Sequence, residues 1–130
     1  MSADPTTIGY EPEPTDVAAE VAAILEEVTD PTELYARATA AQVHHQAVVE
    51  ALALVRSRCL AELNTPDADG AKSSFDQIAT ATGLTRGGAQ KLVQRGRPLL
   101  DYQFPTPLTP DDVQRFLEYG LALRDARTAQ

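Results

Sequence analysis

The sequence predicts an all-α fold, a helical bundle built around one long helix. Apolar residues recur at helical spacing through most of the chain, and capping residues or prolines precede these runs. Segments of alternating polar and apolar residues, which would indicate strands, are almost missing from the sequence. With 130 residues, 43% hydrophobic and 23% charged, the chain has the composition of a soluble globular protein with a single core.

The chain begins with a segment that carries acids, prolines and a glycine but few apolar residues, so we expect a flexible acidic arm over residues 1–14. Residues 15–63 form the next region, which is helical. A first helix is predicted from Thr15 or Asp16 to about Val28. Asp30 and Pro31 then supply a cap and a first-turn proline for a long helix that ends near Leu63.

The long helix carries a stripe of apolar or small residues spaced alternately by four and three positions. The stripe consists of Leu34, Ala38, Ala41, Val48, Leu52, Val55 and Cys59, with His45 in the remaining position. This heptad period indicates pairing along a narrow seam. The partner is either a second copy in a homodimer or the first and last helices of the same chain. A helix of about 50 Å exceeds what so small a domain needs, which favours a second copy. Cys59 is predicted to be a buried small hydrophobe.

Charge is distributed unevenly along the chain, whose overall net charge is −8. Residues 1–34 contain nine acids and no Lys or Arg, whereas residues 72–97 contain five basic residues and one acid. An acidic average argues against nucleic-acid binding, but a basic island of net charge +4 permits it.

The basic island coincides with two short predicted helices joined by a glycine, over residues 73–97. In the segment from Ser74 to Arg95, the small Ala79 beside Ile78 allows the helices to cross closely. Gly83 supplies the left-handed turn conformation and Leu84 fills the corner. Thr85 caps the second helix, whose inward face is predicted to be Ala89 and Leu92.

This segment resembles the helix-turn-helix of bacterial transcription regulators, in the style of sigma region 4 found in small actinobacterial regulators; the resemblance covers about residues 74–95. It implies that the second helix enters the major groove of double-stranded DNA. Its outer face presents Gly87 and five polar or basic side chains, which are Arg86, Gln90, Lys91, Gln94 and Arg95. Base edges would be contacted by Arg86, Gln90 and Lys91, and phosphates by Thr85, Gln94, Arg95 and Arg97. The Gly87-Gly88 pair departs from the pattern. It either allows close approach to DNA or leaves the helix unfinished until DNA binds.

Residues 98–130 are predicted to be a proline-interrupted connector and a C-terminal helix, packed in the same domain. Thr109 to Asp112 form a strong helix start, and Phe116, Leu117 and Gly120 lie on the helical stripe that follows.

No catalytic or metal site is predicted, so we expect neither an enzyme nor a cofactor. His44 and His45 are adjacent on a helix and diverge by about 100°, which prevents them from sharing a metal. The sequence shows neither a membrane span nor a secretory leader, and its single cysteine excludes an internal disulfide. These features suggest a cytoplasmic, nucleoid-associated protein.

Two functions are compatible with these observations. The first is sequence-specific binding of double-stranded DNA by a homodimeric transcriptional regulator. The alternative is an all-helical protein-interaction module that binds RNA polymerase, a sigma factor or another regulator through its acidic N-terminal region.

Overall fold

The computed structural model describes residues 14–128 and confirms the all-α prediction. The helices are α1 (Pro14–Glu27), α2 (Pro31–Leu63), α3 (Phe75–Thr82), α4 (Arg86–Gly96) and α5 (Pro110–Thr128), and a 3-10 turn spans Arg97–Asp101. Residues 14–128 contain no strand. Within the same range, no helix has the length and apolar character needed to cross a membrane. The chain divides into two compact units between Glu50 and Ala51, inside α2.

The predicted N-terminal arm falls almost entirely outside the described residues, which begin at Pro14. Pro14 itself is the first residue of α1 rather than the last residue of the arm. A proline is well tolerated at this position because the first amides of a helix have no internal acceptor.

The first unit contains α1 and the beginning of α2, which run antiparallel. Asp30 caps α2, since its Oδ2 accepts a hydrogen bond from the amide of Glu33 at 3.0 Å. Arg37 of α2 donates two hydrogen bonds to the Glu27 carboxylate of α1, at 3.1 and 2.8 Å, and these bonds raise the pKa of Arg37. Farther along, His45 pairs with Glu20.

An apolar cavity of about 590 Å³ lies between α1 and the first part of α2. The first half of the predicted α2 stripe lines it, opposite apolar residues of α1. These lining residues are Leu34, Ala38, Ala41 and His45 of α2 with Val17, Val21, Ile24 and Leu25 of α1. The first half of the stripe therefore faces α1 of the same chain.

The second unit is held by a core in which the end of α2 meets α3 and α4. Leu60, Ile78, Ala89 and Val93 form this cluster, and each is at most 7% exposed. The backbones of α4 and α2 also pack closely at Gly96. A Cβ added to this glycine would lie 2.0 Å from the backbone of α2. The contact fixes how near α4 can approach α2.

The second half of the α2 stripe remains exposed, contrary to the expectation for Cys59. Leu52 is 54% exposed and Val55 is 41% exposed, and the thiol-bearing residue Cys59 is also exposed. The prediction that Cys59 is buried is wrong because the end of α2 buries a different face, which carries Leu60 and Ala61. Leu60 follows Cys59 directly, so their side chains diverge by about 100°.

The connector after α4 packs into the interior of the second unit. Leu99 is only 2% exposed. The Arg58 guanidinium of α2 donates hydrogen bonds to the carbonyls of Leu99 and Tyr102 and lies 4.7 Å from the centre of the Phe104 ring. Phe116 of α5 is fully buried against Tyr102 and Phe104. These contacts anchor α5 to the second unit.

Candidate nucleic-acid interface

Residues close to one another in sequence set both ends of α3. Ser74 accepts a hydrogen bond from the amide of Gln77 at 3.1 Å, and the Gln77 side chain accepts one from the amide of Ser74 at 2.8 Å. This capping box fixes the start of the helix. Gly83 ends α3 with φ of 75°, in the left-handed region, and its amide donates to the carbonyl of Ala79. Glycine adopts this conformation without steric cost.

The next helix begins at Arg86, three residues after Gly83. The Thr85 hydroxyl accepts a hydrogen bond from the amide of Gly88 at 3.0 Å and caps α4, as the sequence predicted. The helix continues through both Gly87 and Gly88 to Gly96. The glycine pair therefore does not leave α4 unfinished, and a side chain at Gly87 would meet no atom within 4 Å.

The inward face of α4 includes both predicted residues and one more. Ala89 is fully buried beside Ile78, and Leu92 is partly buried and packs against the same cluster. Val93, which the sequence analysis did not place on this face, is also fully buried. The period of four between Ala89 and Val93 directs Val93 toward the core and leaves Leu92 on the flank.

Two of the predicted DNA contacts also interact with the rest of the chain. Arg86 pairs with Asp76 of α3 at 3.2 Å and lies 5.8 Å from the centre of the Phe75 ring. Its side chain remains 63% exposed. Arg97 lies just beyond α4 and donates a hydrogen bond of 2.6 Å to the side-chain oxygen of Asn64. Both arginines thus contribute to holding α4 in place as well as to its positive charge.

The solvent-facing side of α4 carries the remaining candidates. Gly87, Lys91, Gln94 and Arg95 are exposed, and Gln90 is half-buried at the margin. Lys91, Gln94 and Arg95 follow the i, i+3, i+4 spacing of one helical face. Together with Arg127 of α5 they line a cavity of about 210 Å³. We call the space lined by these four residues the cationic cavity.

Arg127 is a candidate that sequence reasoning missed. It lies 32 positions after Arg95 in the chain, outside the basic island, and no local pattern connects it with α4. Only the packing of α5 in the second unit places Arg127 beside the α4 face.

This arrangement has the charge and hydrogen-bond donors to bind an anion. Lys91, Arg95 and Arg127 supply positive charge and hydrogen-bond donors, and Gln94 supplies an amide. No group of three potential metal ligands occurs among the described His, Cys, Asp and Glu residues. His45 contacts Glu20, and its ring packs edge-on against that of His44.

Comparisons with known proteins assign no family to this chain. No protein-family model, curated protein or solved structure matches it. Function must therefore be inferred from the geometry and charge of the site.

Proposed function

We propose that this chain binds double-stranded DNA in the major groove through α4 and acts as a bacterial transcriptional regulator in the cytoplasm. The supporting observation is that α4 is a capped, acid-free helix whose exposed face carries Lys91, Gln94 and Arg95. One face of this helix packs against the core and the opposite face is open to solvent, so the exposed face is available to a DNA groove. Gln and basic side chains contact purine edges and phosphates.

The short α3 supports the same proposal by fixing the direction of α4. Its capping box and the left-handed Gly83 determine where each helix begins and ends. Ile78 then locks α3 against Ala89 and Val93 in the core. In regulators that the segment resembles, the first helix of such a pair crosses the DNA backbone while the second reads bases.

We further propose that the protein acts as a homodimer paired through α2. The supporting observation is the exposed second half of the α2 stripe, where Leu52 and Val55 remain 54% and 41% exposed after the chain has folded. A second copy would cover the same residues on both chains, as in a twofold-symmetric interface. Two α4 helices would then face half-sites about 34 Å apart on a near-palindromic duplex.

Binding of a fluorescent random-sequence duplex at low salt tests the DNA proposal directly. Neutralising one phosphate contributes about 0.9 to the magnitude of the slope of log affinity against log salt concentration. Between 1 M and 50 mM salt, this slope corresponds to roughly tenfold in affinity per contact. We therefore expect Lys91→Gln and Arg95→Gln each to weaken binding about tenfold per protomer, which is about a hundredfold for the proposed dimer, with unchanged helical circular dichroism. With about four basic contacts per protomer, a dimer should show a slope of roughly −7.

Arg115→Gln is the matched control, since it removes the same charge from an exposed arginine of α5 that pairs with Asp112. It should change affinity by less than about twofold, because a distant exposed charge is screened. Equal losses for all three variants, or no duplex binding by the unaltered protein at low salt, would contradict the proposal. If the unaltered protein does bind duplex DNA, selection from a random duplex library would define its preferred site.

The apolar cavity between α1 and α2 keeps the protein-interaction alternative open for the first unit. A pull-down with RNA polymerase, a sigma factor or another regulator that survives nuclease treatment would favour that alternative. The pull-down would favour the protein-interaction alternative only if the protein also fails to bind duplex DNA. Loss of such a complex on substitution of the cavity residues Val21 and Leu25 would assign it to this surface.

A further inference from the structure

The cationic cavity brings three positive side chains together from two helices. Lys91 and Arg95 come from α4, Arg127 comes from the last turn of α5, and Gln94 completes the lining. Within residues 14–128, no ion pair or hydrogen bond occupies Lys91, Arg95 or Arg127. Converging like charges repel one another, so this grouping does not stabilise the chain by itself.

Several other arginines of the chain, though not Arg56, have an ion-pair partner among the described residues. Carboxylates pair with Arg37, Arg58, Arg86 and Arg115 at 2.8 to 3.4 Å. Arg97 also has a polar partner, the side-chain oxygen of Asn64. In a protein with a net charge of −8, carboxylates are abundant, yet none pairs with the three cations of the cavity in the described range. The cavity therefore retains an unneutralised positive charge.

A simpler explanation accounts for only part of this arrangement. Arg95 and Arg127 each lie in the last turn of a helix, where a basic residue complements the negative end of the helix dipole. That effect would stabilise each arginine separately. It does not explain why both side chains border the same cavity, nor why Lys91, one turn before Arg95, joins them.

We infer that the cationic cavity holds a backbone phosphate of the DNA, so that α5 supplies a DNA contact through Arg127. The inference rests on the proposed function and specifies how α4 is oriented in the complex. Lys91, which the sequence predicted at base edges, contacts the backbone with Arg95 and Arg127. The bases are then contacted from the N-terminal part of α4, where Arg86, Gly87 and Gln90 lie.

The cavity has the size and chemistry that a phosphodiester requires. The cavity is open to solvent and has a volume of about 210 Å³, which leaves room for a phosphate group with bridging waters. Two guanidinium groups and an ammonium can donate charge-assisted hydrogen bonds to its oxygens. Because this contact involves only the backbone, it strengthens binding to every duplex alike.

Arg127→Gln tests the inference, with Arg115→Gln as the control on the same helix. We expect Arg127→Gln to weaken binding at 50 mM salt about tenfold per protomer, or about a hundredfold for the dimer, for the selected site and for random duplex equally. We also expect it to lower the magnitude of the log–log salt slope by about 0.9 per protomer. Arg127→Lys should restore most of the affinity because it keeps the charge. Arg127 is exposed near the end of α5, so circular dichroism should show an intact fold.

The outcomes separate this inference from the proposed function. If the unaltered protein binds duplex and Arg127→Gln behaves like Arg115→Gln, the phosphate assignment is wrong while the DNA proposal stands. A loss confined to the selected site would also overturn the assignment, because it would indicate base contact. If the unaltered protein binds no duplex at low salt, both are overturned.

A second arm distinguishes DNA phosphate from a free phosphate ligand. Inorganic phosphate is titrated against sodium chloride of equal ionic strength while backbone amide shifts of α4 and the end of α5 are followed. Weak, unsaturated shifts at millimolar phosphate are expected. Saturable binding that Arg127→Gln abolishes, with duplex affinity unchanged, would assign the cavity to a free phosphate instead.

Discussion

Gly96→Ala should loosen the contact that positions α4, and the structure allows the size of the effect to be estimated. The added Cβ would lie 2.0 Å from the carbonyl oxygen and 2.4 Å from the carbonyl carbon of Ser57. Ordinary contact begins near 3.4 Å, so α4 and α2 would have to separate locally by more than 1 Å. Both obstructing atoms belong to the backbone of α2, which has no alternative rotamer to adopt.

Overpacking of this kind costs about 1–3 kcal/mol and sometimes more. Replacing glycine in a helix returns up to about 1 kcal/mol of helix propensity, and less at a helix end. Since the clash is with backbone, we place the net loss of unfolding free energy near 2 kcal/mol. For a unit of this size, that loss lowers the Tm by roughly 8–16 °C.

Gly87→Ala on the same helix is the control, because a Cβ there meets nothing within 4 Å. It should leave stability unchanged or raise it by less than about 1 kcal/mol, because Gly87 is the second residue of α4 and helix propensity counts for less at a helix end. Thermal and urea unfolding followed by circular dichroism would measure both variants. Equal stability of the Gly96→Ala and Gly87→Ala proteins would refute the reasoning that backbone proximity at Ser57 sets the position of α4.

Two further predictions concern α5 and the proposed dimer. Hydrogen bonds from Thr109 lower the pKa of Asp112 below its usual value. The ionised Asp112 side chain therefore stabilises the fold fully above about pH 4, and this contribution is lost as the pH falls through the lowered pKa. Asp112→Asn should be less stable than the unaltered protein at neutral pH and equally stable in acid. Asp111→Asn, a control without the Thr109 contact, should lower the Tm less at neutral pH, and parallel pH profiles of Tm for Asp112→Asn and the unaltered protein would contradict the prediction. For the dimer, light scattering should give twice the 14.0 kDa chain mass, and Leu52→Glu with Val55→Glu should halve it without loss of helicity; a monomeric unaltered protein would exclude pairing through α2.

The sequence predicted most of the fold because the helices are delimited by short-range interactions. The long helix begins and ends at the predicted residues, Pro31 and Leu63. In the candidate site, the cap at Thr85 and the turn at Gly83 were also correctly predicted. Each of these features involves residues no more than four positions apart, so residue type and spacing are sufficient to identify it.

Predictions that depended on which face of a helix is covered were less accurate. The stripe that ends at Cys59 continues unbroken along α2, yet its beginning faces α1 whereas Cys59 at its end is exposed. Likewise, Leu92 and Val93 are adjacent in the sequence and both apolar. Only the position of Leu60 and Ile78 decides that Val93 is fully buried whereas Leu92 is partly buried. A repeating pattern identifies an apolar face but does not specify what covers it.

The sequence by itself determined that the chain is helical, where its helices start and stop, and that its positive charge is concentrated around α4. Only the tertiary structure decided that Arg86 and Arg97 also have partners within the chain, and that Arg127 joins Lys91 and Arg95. The physical reason is range. Capping and helical propensity act over one turn, whereas the grouping of charges distant in sequence depends on how α5 and the end of α2 pack in the second unit.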